Sequence, residues 1–113
     1  MRVGTDYVFA IRTREFGEFL GLVGLHYVTA DTPELGIWIR EDRHGQGFGR
    51  DAVHAVARWG SLTLDIDAFV YPVATANTAS RRIAESLGGV VVSSHDTPKY
   101  AGVVYRIPRP VES

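Results

Sequence analysis

The stretch IREDRHGQGFGRDAV, Ile39–Val53, decides how this chain is read. An apolar run ends at Ile39, polar residues follow from Arg40 to His44, and glycines then occupy positions 45, 47 and 49 with Gln46 and Phe48 between them. From there the period changes. Phe48, Ala52, Val56 and Trp59 fall on one side, with Val53 and Ala57 beside them, so GFGRDAVHAVARWG reads as an amphipathic helix. The glycines thus stand where a strand hands over to a helix. The first N–H groups of a helix have no intrahelical partner, and with the helix dipole they make a ready anion site. Glycine lets backbone approach the anion without an intervening Cβ. Three glycines suit a pyrophosphate; the plainer alternative is a tight strand–helix connection, which needs fewer.

Working outward, YVFAIR (Tyr7–Arg12) and GEFLGLVGLHYV (Gly17–Val28) are rich in aromatic and branched residues around a TREFG turn, and predict a β-hairpin. ADTPE is a second turn, and LGIWIR (Leu35–Arg40) a third strand. Beyond the helix, DAFVYPV (Asp67–Val73) is a strand in which Pro72 marks an unpaired end or a splay point. NTASRRIAESLGG is a second helix, with Asn77 as N-cap and Gly88–Gly89 as its stop. VVVSS and YAGVVYRI close the chain as a hairpin around HDTPK. The order β-β-β-α-β-α-β-β predicts an α/β fold of the mixed α+β kind: a mostly antiparallel sheet with a central β-α-β crossover and helices packed on it.

The chain has 113 residues, the size of one small domain, and 45% hydrophobic with 22% charged residues is the balance of a soluble globular protein. A net charge of −1 supplies no general attraction to nucleic acid or anionic membrane, and no apolar run is long enough to span a bilayer. Without cysteine there is no disulfide, thiolate zinc site or cysteine nucleophile, and a cytoplasmic location is expected. His26, His44, His54 and His95 lack His-x-x-x-His spacing, so no metal is expected.

Two other phosphate motifs compete for the glycines. A P-loop needs a Gly-Lys-Ser/Thr ending, which is absent. GFGRDA does satisfy the dinucleotide pattern G-x-G-x-x-A, with Asp65 or Asp67 near the distance of a ribose-binding acid. Against a Rossmann-like nucleotide-binding fragment stand the polar REDRH between strand and glycines, the antiparallel hairpin upstream, and the little chain that remains.

HGQGFG, His44–Gly49, resembles the Arg/Gln-x-x-Gly-x-Gly/Ala signature of the GNAT superfamily of acyl-CoA N-acyltransferases, which opens a helix and holds the pyrophosphate of coenzyme A. ELGIWIRED resembles the Glu-x-Gly-Tyr/Trp strand of the branch that includes ribosomal-protein N-terminal acetyltransferases, and NTASRRIAESLGG is similar to that branch's Asn-x-x-Ser helix. The resemblance runs from about Tyr7 to Ile107 as a single domain over 1–113. His44 replaces the usual Arg or Gln, Gly89 the usual Phe, and Ala84 stands where many members place a tyrosine. The strand and two helices that precede the hairpin in the family are missing, so the domain is expected to be N-terminally short.

The resemblance implies an N-acetyltransferase that moves an acetyl group from acetyl-CoA to a primary amine by direct attack. Glu34 is then the candidate base and Ser80 the hydroxyl near the leaving sulfur. Ile37, Trp38 and Ile39 would contact the pantetheine arm through their backbone, and Asn77 and Ser80 would face it from the second helix. His44, Gly45, Gln46, Gly47, Phe48, Gly49, Arg50 and Arg82 complete the cofactor set, with Arg81 a further phosphate candidate. Ordinary roles compete: a solvated acid for Glu34, capping for Asn77, surface charge for the arginines. Tyr100 and Tyr105 would border the acceptor or simply pack. The acceptor is an amine-bearing small molecule or a peptide N-terminus. A catalytically weak acyl-CoA-binding module is the alternative. Leu20, Leu22, Val23 and Leu25, with Phe9, Ile11, Phe16 and Phe19, raise the expectation of a homodimer covering an open sheet face.

Overall fold

The computed structural model describes residues 2, 3 and 6–110. Its strands are β1 (Arg2–Val3), β2 (Asp6–Arg12), β3 (Phe19–His26), β4 (Glu34–Ile39), β5 (Ala68–Ala74), β6 (Val90–Ser94) and β7 (Gly102–Pro108). The helices are α1 (Phe48–Thr63) and α2 (Thr78–Ser86), with a 3-10 turn at Glu41–Arg43. One sheet carries all seven strands in the order β1-β2-β3-β4-β5-β7-β6. The pair β4–β5 is parallel; the others are antiparallel. The mixed, mostly antiparallel α/β sheet follows the sequence reading, although β1 has no counterpart in it.

Both helices contribute to one core against one face of the sheet. Val53, Val56 and Ala57 of α1 and Ala84 of α2 cluster with Val23, Leu25, Leu35, Phe69, Tyr71, Tyr105 and Ile107 from the strands. β2, β3, β4, β5 and β7 send alternate residues into or against that cluster, as the period of two requires, whereas β6 is exposed along its length. The helix expected to stop near Gly60 runs to Thr63. Gly60 is not a terminator there: it lies under Leu25, Ile66 and Phe69, where a Cβ would come within 3.2 Å of the Leu25 side chain. Ser61, buried beside it, donates its hydroxyl to the Ala57 carbonyl at 2.8 Å. Neither helix is long and apolar enough to cross a membrane.

The apolar hairpin residues divide by face. Leu20, Val23 and Leu25 are buried, and Phe9 and Ile11 pack on the core. Phe16 sits exposed in the turn, and Leu22 stands with its register partner Trp38 on the opposite face, both exposed. With Leu22 and Trp38, Val90, Val91 and Val92 of β6 are the exposed large apolar side chains of strands β2 to β7.

Candidate active site

The parallel pair β4–β5 is joined at only one register position, Glu34 opposite Val70. The Val70 N–H donates to the Pro33 carbonyl at 2.9 Å, and beyond that point the strands diverge. Strand alternation tells which backbone groups this leaves unpaired. On β4 the Arg40 N–H donates to Leu20 on β3. Even positions therefore face β3, and odd positions, Ile37 and Ile39, turn their N–H and carbonyl toward the gap. On β5 the Thr75 N–H donates to Ala101, beside β7, so odd positions face β7 and even ones the gap. The even position inside the gap is Pro72, which has no N–H to offer. The splay expected at Pro72 is present.

A cleft of about 640 Å³ opens beside the diverging end of β4, between that strand, the loop before α1 and α2. Its walls are Ile37, Trp38 and Ile39 of β4, the loop and first turn of α1 from Glu41 to Arg50 apart from Asp42 and Gln46, and Asn77, Ala79, Ser80, Arg82, Ile83 and Ser86 from α2 and its cap. The His44 Nε2–H donates to the Ile39 carbonyl at 2.9 Å, so this side chain ties the loop to the end of β4. Arg43 is held by Glu18, with Nη2 2.7 Å from Oε2.

The three glycines do different work. Gly45 and Gly47 have φ of 79° and 83°, the left-handed region that favours glycine, and a Cβ on Gly45 would meet open space. Gly47 caps α1 without any side-chain cap, so the N–H groups of the first turn are left to the cleft. Gly49 is buried, and a Cβ there would lie 2.8 Å from Ile83 Cδ1 and 3.4 Å from Ile39 Cγ1. Its smallness lets α1 approach α2 and β4, a packing role that the alternating pattern disguised.

On the other wall, Asn77 Oδ1 accepts from the Ser80 N–H at 3.1 Å, so Asn77 caps α2 while lining the cleft. The Ser80 hydroxyl is 2.6 Å from that of Tyr71. Tyr71 is 1% exposed, and burial pushes its phenol up to about 12 against the smaller opposing effect of the Ser80 hydrogen bond. A folded-state value above the unfolded one means that the folded chain holds the proton more tightly. Stability is then full below about pH 10 and falls between about pH 10 and 12, by about 2–3 kcal/mol. Urea unfolding across that range should show the wild type losing this much more than Tyr71→Phe, which has no phenol to ionise.

Some expected residues lie elsewhere. Trp38 lines the cleft, but its backbone is directed at β3. Gln46 is exposed and outside the lining, and Glu34 stands half-buried at the head of β4, also outside it. Arg81 is not free to hold a phosphate: Nε donates to the Tyr105 hydroxyl at 3.0 Å and Nη1 to the Thr75 carbonyl at 3.1 Å. The Tyr105 hydroxyl in turn donates to Glu85 at 2.7 Å, so Tyr105 packs and braces α2, while Tyr100 is exposed. Asp65 and Asp67 pair with Arg109 at 3.1 and 3.4 Å, near the C-terminal end of α1 and away from the glycines, which removes them as ribose ligands. Arg50 and Arg82 do reach the cleft. Glu41, Arg43, Ala79, Ile83 and Ser86 are lining residues that the sequence reading missed; the spacing of α2 from Asn77 and Ser80 would have found Ile83. No cluster of metal-ligating side chains occurs among the described residues.

The family model described as an acetyltransferase (GNAT) domain matches residues 1–90. The chain belongs to the GNAT acetyltransferase family. Solved structures agree on the GNAT fold. A ribosomal-protein-S5-alanine acetyltransferase from Vibrio fischeri superposes with a TM-score of 0.84 at 14% identity, over 93% of this chain and 62% of that one. An acetyltransferase from Agrobacterium tumefaciens str. C58 gives 0.76 at 27% identity, over 89% and 60%. A spermidine N-acetyltransferase mutant from Vibrio cholerae gives 0.80 at 18%, over 93% and 66%. This GNAT chain thus spans between three-fifths and two-thirds of the length of these relatives.

Proposed function

We propose that the chain is a single GNAT domain that binds acetyl-CoA in the splay between β4 and β5 and transfers its acetyl group to a primary amine. The observation that carries this is the cleft itself. The gap-facing N–H and carbonyl of Ile37 and the N–H of Ile39, whose carbonyl is taken by His44, offer a ladder to an amide-bearing chain such as pantetheine, in place of the missing strand contacts. At the outer end the uncapped first turn of α1, with Arg50 and Arg82 nearby, fits a pyrophosphate.

Amine attack on a thioester forms the C–N bond and breaks C–S without a covalent enzyme intermediate. The Ile37 N–H, which turns toward the gap, donates to the oxyanion in this reading. Ser80 donates a hydrogen bond to the departing sulfur, which ends as a thiolate. Glu34, at the head of β4, takes through intervening water the proton that the ammonium loses before it attacks, because it stands outside the cleft lining, and the second proton, lost by the nitrogen as the amide forms, passes to solvent. The acceptor is a peptide N-terminus or a small-molecule amine; the fold relatives include a ribosomal-protein-S5-alanine acetyltransferase and a spermidine N-acetyltransferase.

Thermal-shift titration tests the binding step. Acetyl-CoA and coenzyme A should raise the melting temperature while NAD and ATP alone should not. Thiol release with alanine-terminated peptides and with spermidine then tests transfer. Glu34→Gln should slow it about 10–100-fold with acetyl-CoA affinity unchanged. Binding without transfer to any amine would make the chain an acyl-CoA-binding module, a reading that the position of Glu34 outside the cleft keeps in view.

A further inference from the structure

The reaction as described leaves one buried hydroxyl without a part. Tyr71 does not line the cleft, yet its phenol reaches through the wall to Ser80, which does. We propose that Tyr71 is a positioning residue that fixes the Ser80 hydroxyl as a hydrogen-bond donor to the sulfur of bound coenzyme A. The inference rests on the acetyl-CoA reading above.

The direction of the 2.6 Å contact follows from what each group would otherwise lack. A phenol has one hydrogen to give, and Tyr71 is 1% exposed with Ser80 as its hydrogen-bond partner among the described residues. Were Ser80 the donor, the phenolic hydrogen would be buried unpaired, a costly arrangement. With Tyr71 as donor nothing is orphaned, because the Ser80 hydrogen is left for the cleft. Without that contact the Ser80 hydroxyl is free to rotate about its Cβ–Oγ bond. The phenol thus occupies one lone pair of Oγ and restricts where its hydrogen can point. The backbone of Ser80 is held separately, by Asn77 at 3.1 Å, so both the position and the orientation of the hydroxyl are set. Burial, which pushes the phenol up to about 12, keeps Tyr71 a donor throughout the range in which a thiol titrates. Tyr71 is held in turn by its strand: its neighbour Pro72 lies in the gap and its register partner Tyr105 is buried in the core.

The test follows the thiol of bound coenzyme A by thiolate absorbance in the near ultraviolet as pH is raised. It needs no acceptor amine. A hydrogen bond to the charged form lowers a pKa. Ser80→Ala should therefore raise the thiol value by about one pH unit over wild type, equivalent to about tenfold in the acid dissociation constant. Tyr71→Phe, which keeps the buried ring, should move it most of the way, and the double variant should match Ser80→Ala alone. Identical titrations for wild type and Tyr71→Phe overturn the proposal. So does a further shift when Tyr71→Phe is added to Ser80→Ala, since the phenol would then act independently of the serine. Calorimetry with coenzyme A separates the two levels: absence of binding by the wild type overturns the acetyl-CoA reading and this inference with it. Binding with an unmoved thiol overturns only the role of Tyr71.

Discussion

Gly21→Ala is expected to destabilise the chain by at least about 3 kcal/mol, a large share of the stability of a small domain. A Cβ at position 21 would lie 2.0 Å from the Trp38 carbonyl oxygen and 2.9 Å from the Ile39 Cα. Both are backbone atoms of the paired strand, so no rotamer change relieves the clash and β3 must move away from β4. Gly17→Ala supplies the contrast. It occupies a left-handed turn with φ of 67° and open space around it, so only the backbone strain of about 1–2 kcal/mol applies. Urea denaturation of both variants measures the difference. Equal losses would mean that β3 and β4 separate freely. Because β4 also supplies the cleft wall, folded Gly21→Ala should bind acetyl-CoA more weakly as well.

The second large effect is on binding alone. Gly47→Val is expected to lower acetyl-CoA affinity about 10–100-fold, or about 1.4–2.8 kcal/mol, with the core intact. Space is not the obstacle, since a Cβ at 47 would meet the Arg50 guanidinium at an ordinary 3.5 Å. The obstacle is φ of 83°, which a β-branched residue adopts only under strain. The loop would relax to a different conformation and redirect the free N–H groups of the first turn of α1. Isothermal titration calorimetry, with circular dichroism to show a folded variant, reads this out. Unchanged affinity in a folded variant would remove the glycine loop from the site.

How much of this was legible in the sequence depends on how local the cause is. The strands and helices were readable because each carries its own period, and Pro72 announced the splay because a residue without an N–H restricts any ladder it joins. The glycine motif was readable as a motif but not residue by residue. Gly45 and Gly47 answer to local dihedral angles, whereas Gly49 answers to Ile83, on another helix. The same distance in sequence hid the end of α1, which Gly60 extends by lying under Leu25 and Phe69. It also hid Arg81, drawn away from phosphate by Tyr105, and Tyr71, whose contact with Ser80 crosses from a strand to a helix. Charged residues were the least legible. Glu34 and Arg81 look alike on paper to any solvated acid or base, and only their neighbours distinguish them.

The proline at position 72 has a consequence for how the empty chain behaves. Two parallel strands that diverge within one sheet are a zipper left half open, and nothing in β-strand chemistry favours leaving it so. A donor at 72, two residues past the Val70 N–H that meets the Pro33 carbonyl, would reach the Leu35 carbonyl and let β5 close along β4 toward Ile37, filling the gap proposed here as the ligand site. By withholding that donor at the first even position past Val70, the sequence takes away the reward for self-closure before any ligand arrives. The gap is then a vacancy that the chain cannot fill with itself, and the part of the binding energy that opening a closed seam would absorb stays with the ligand.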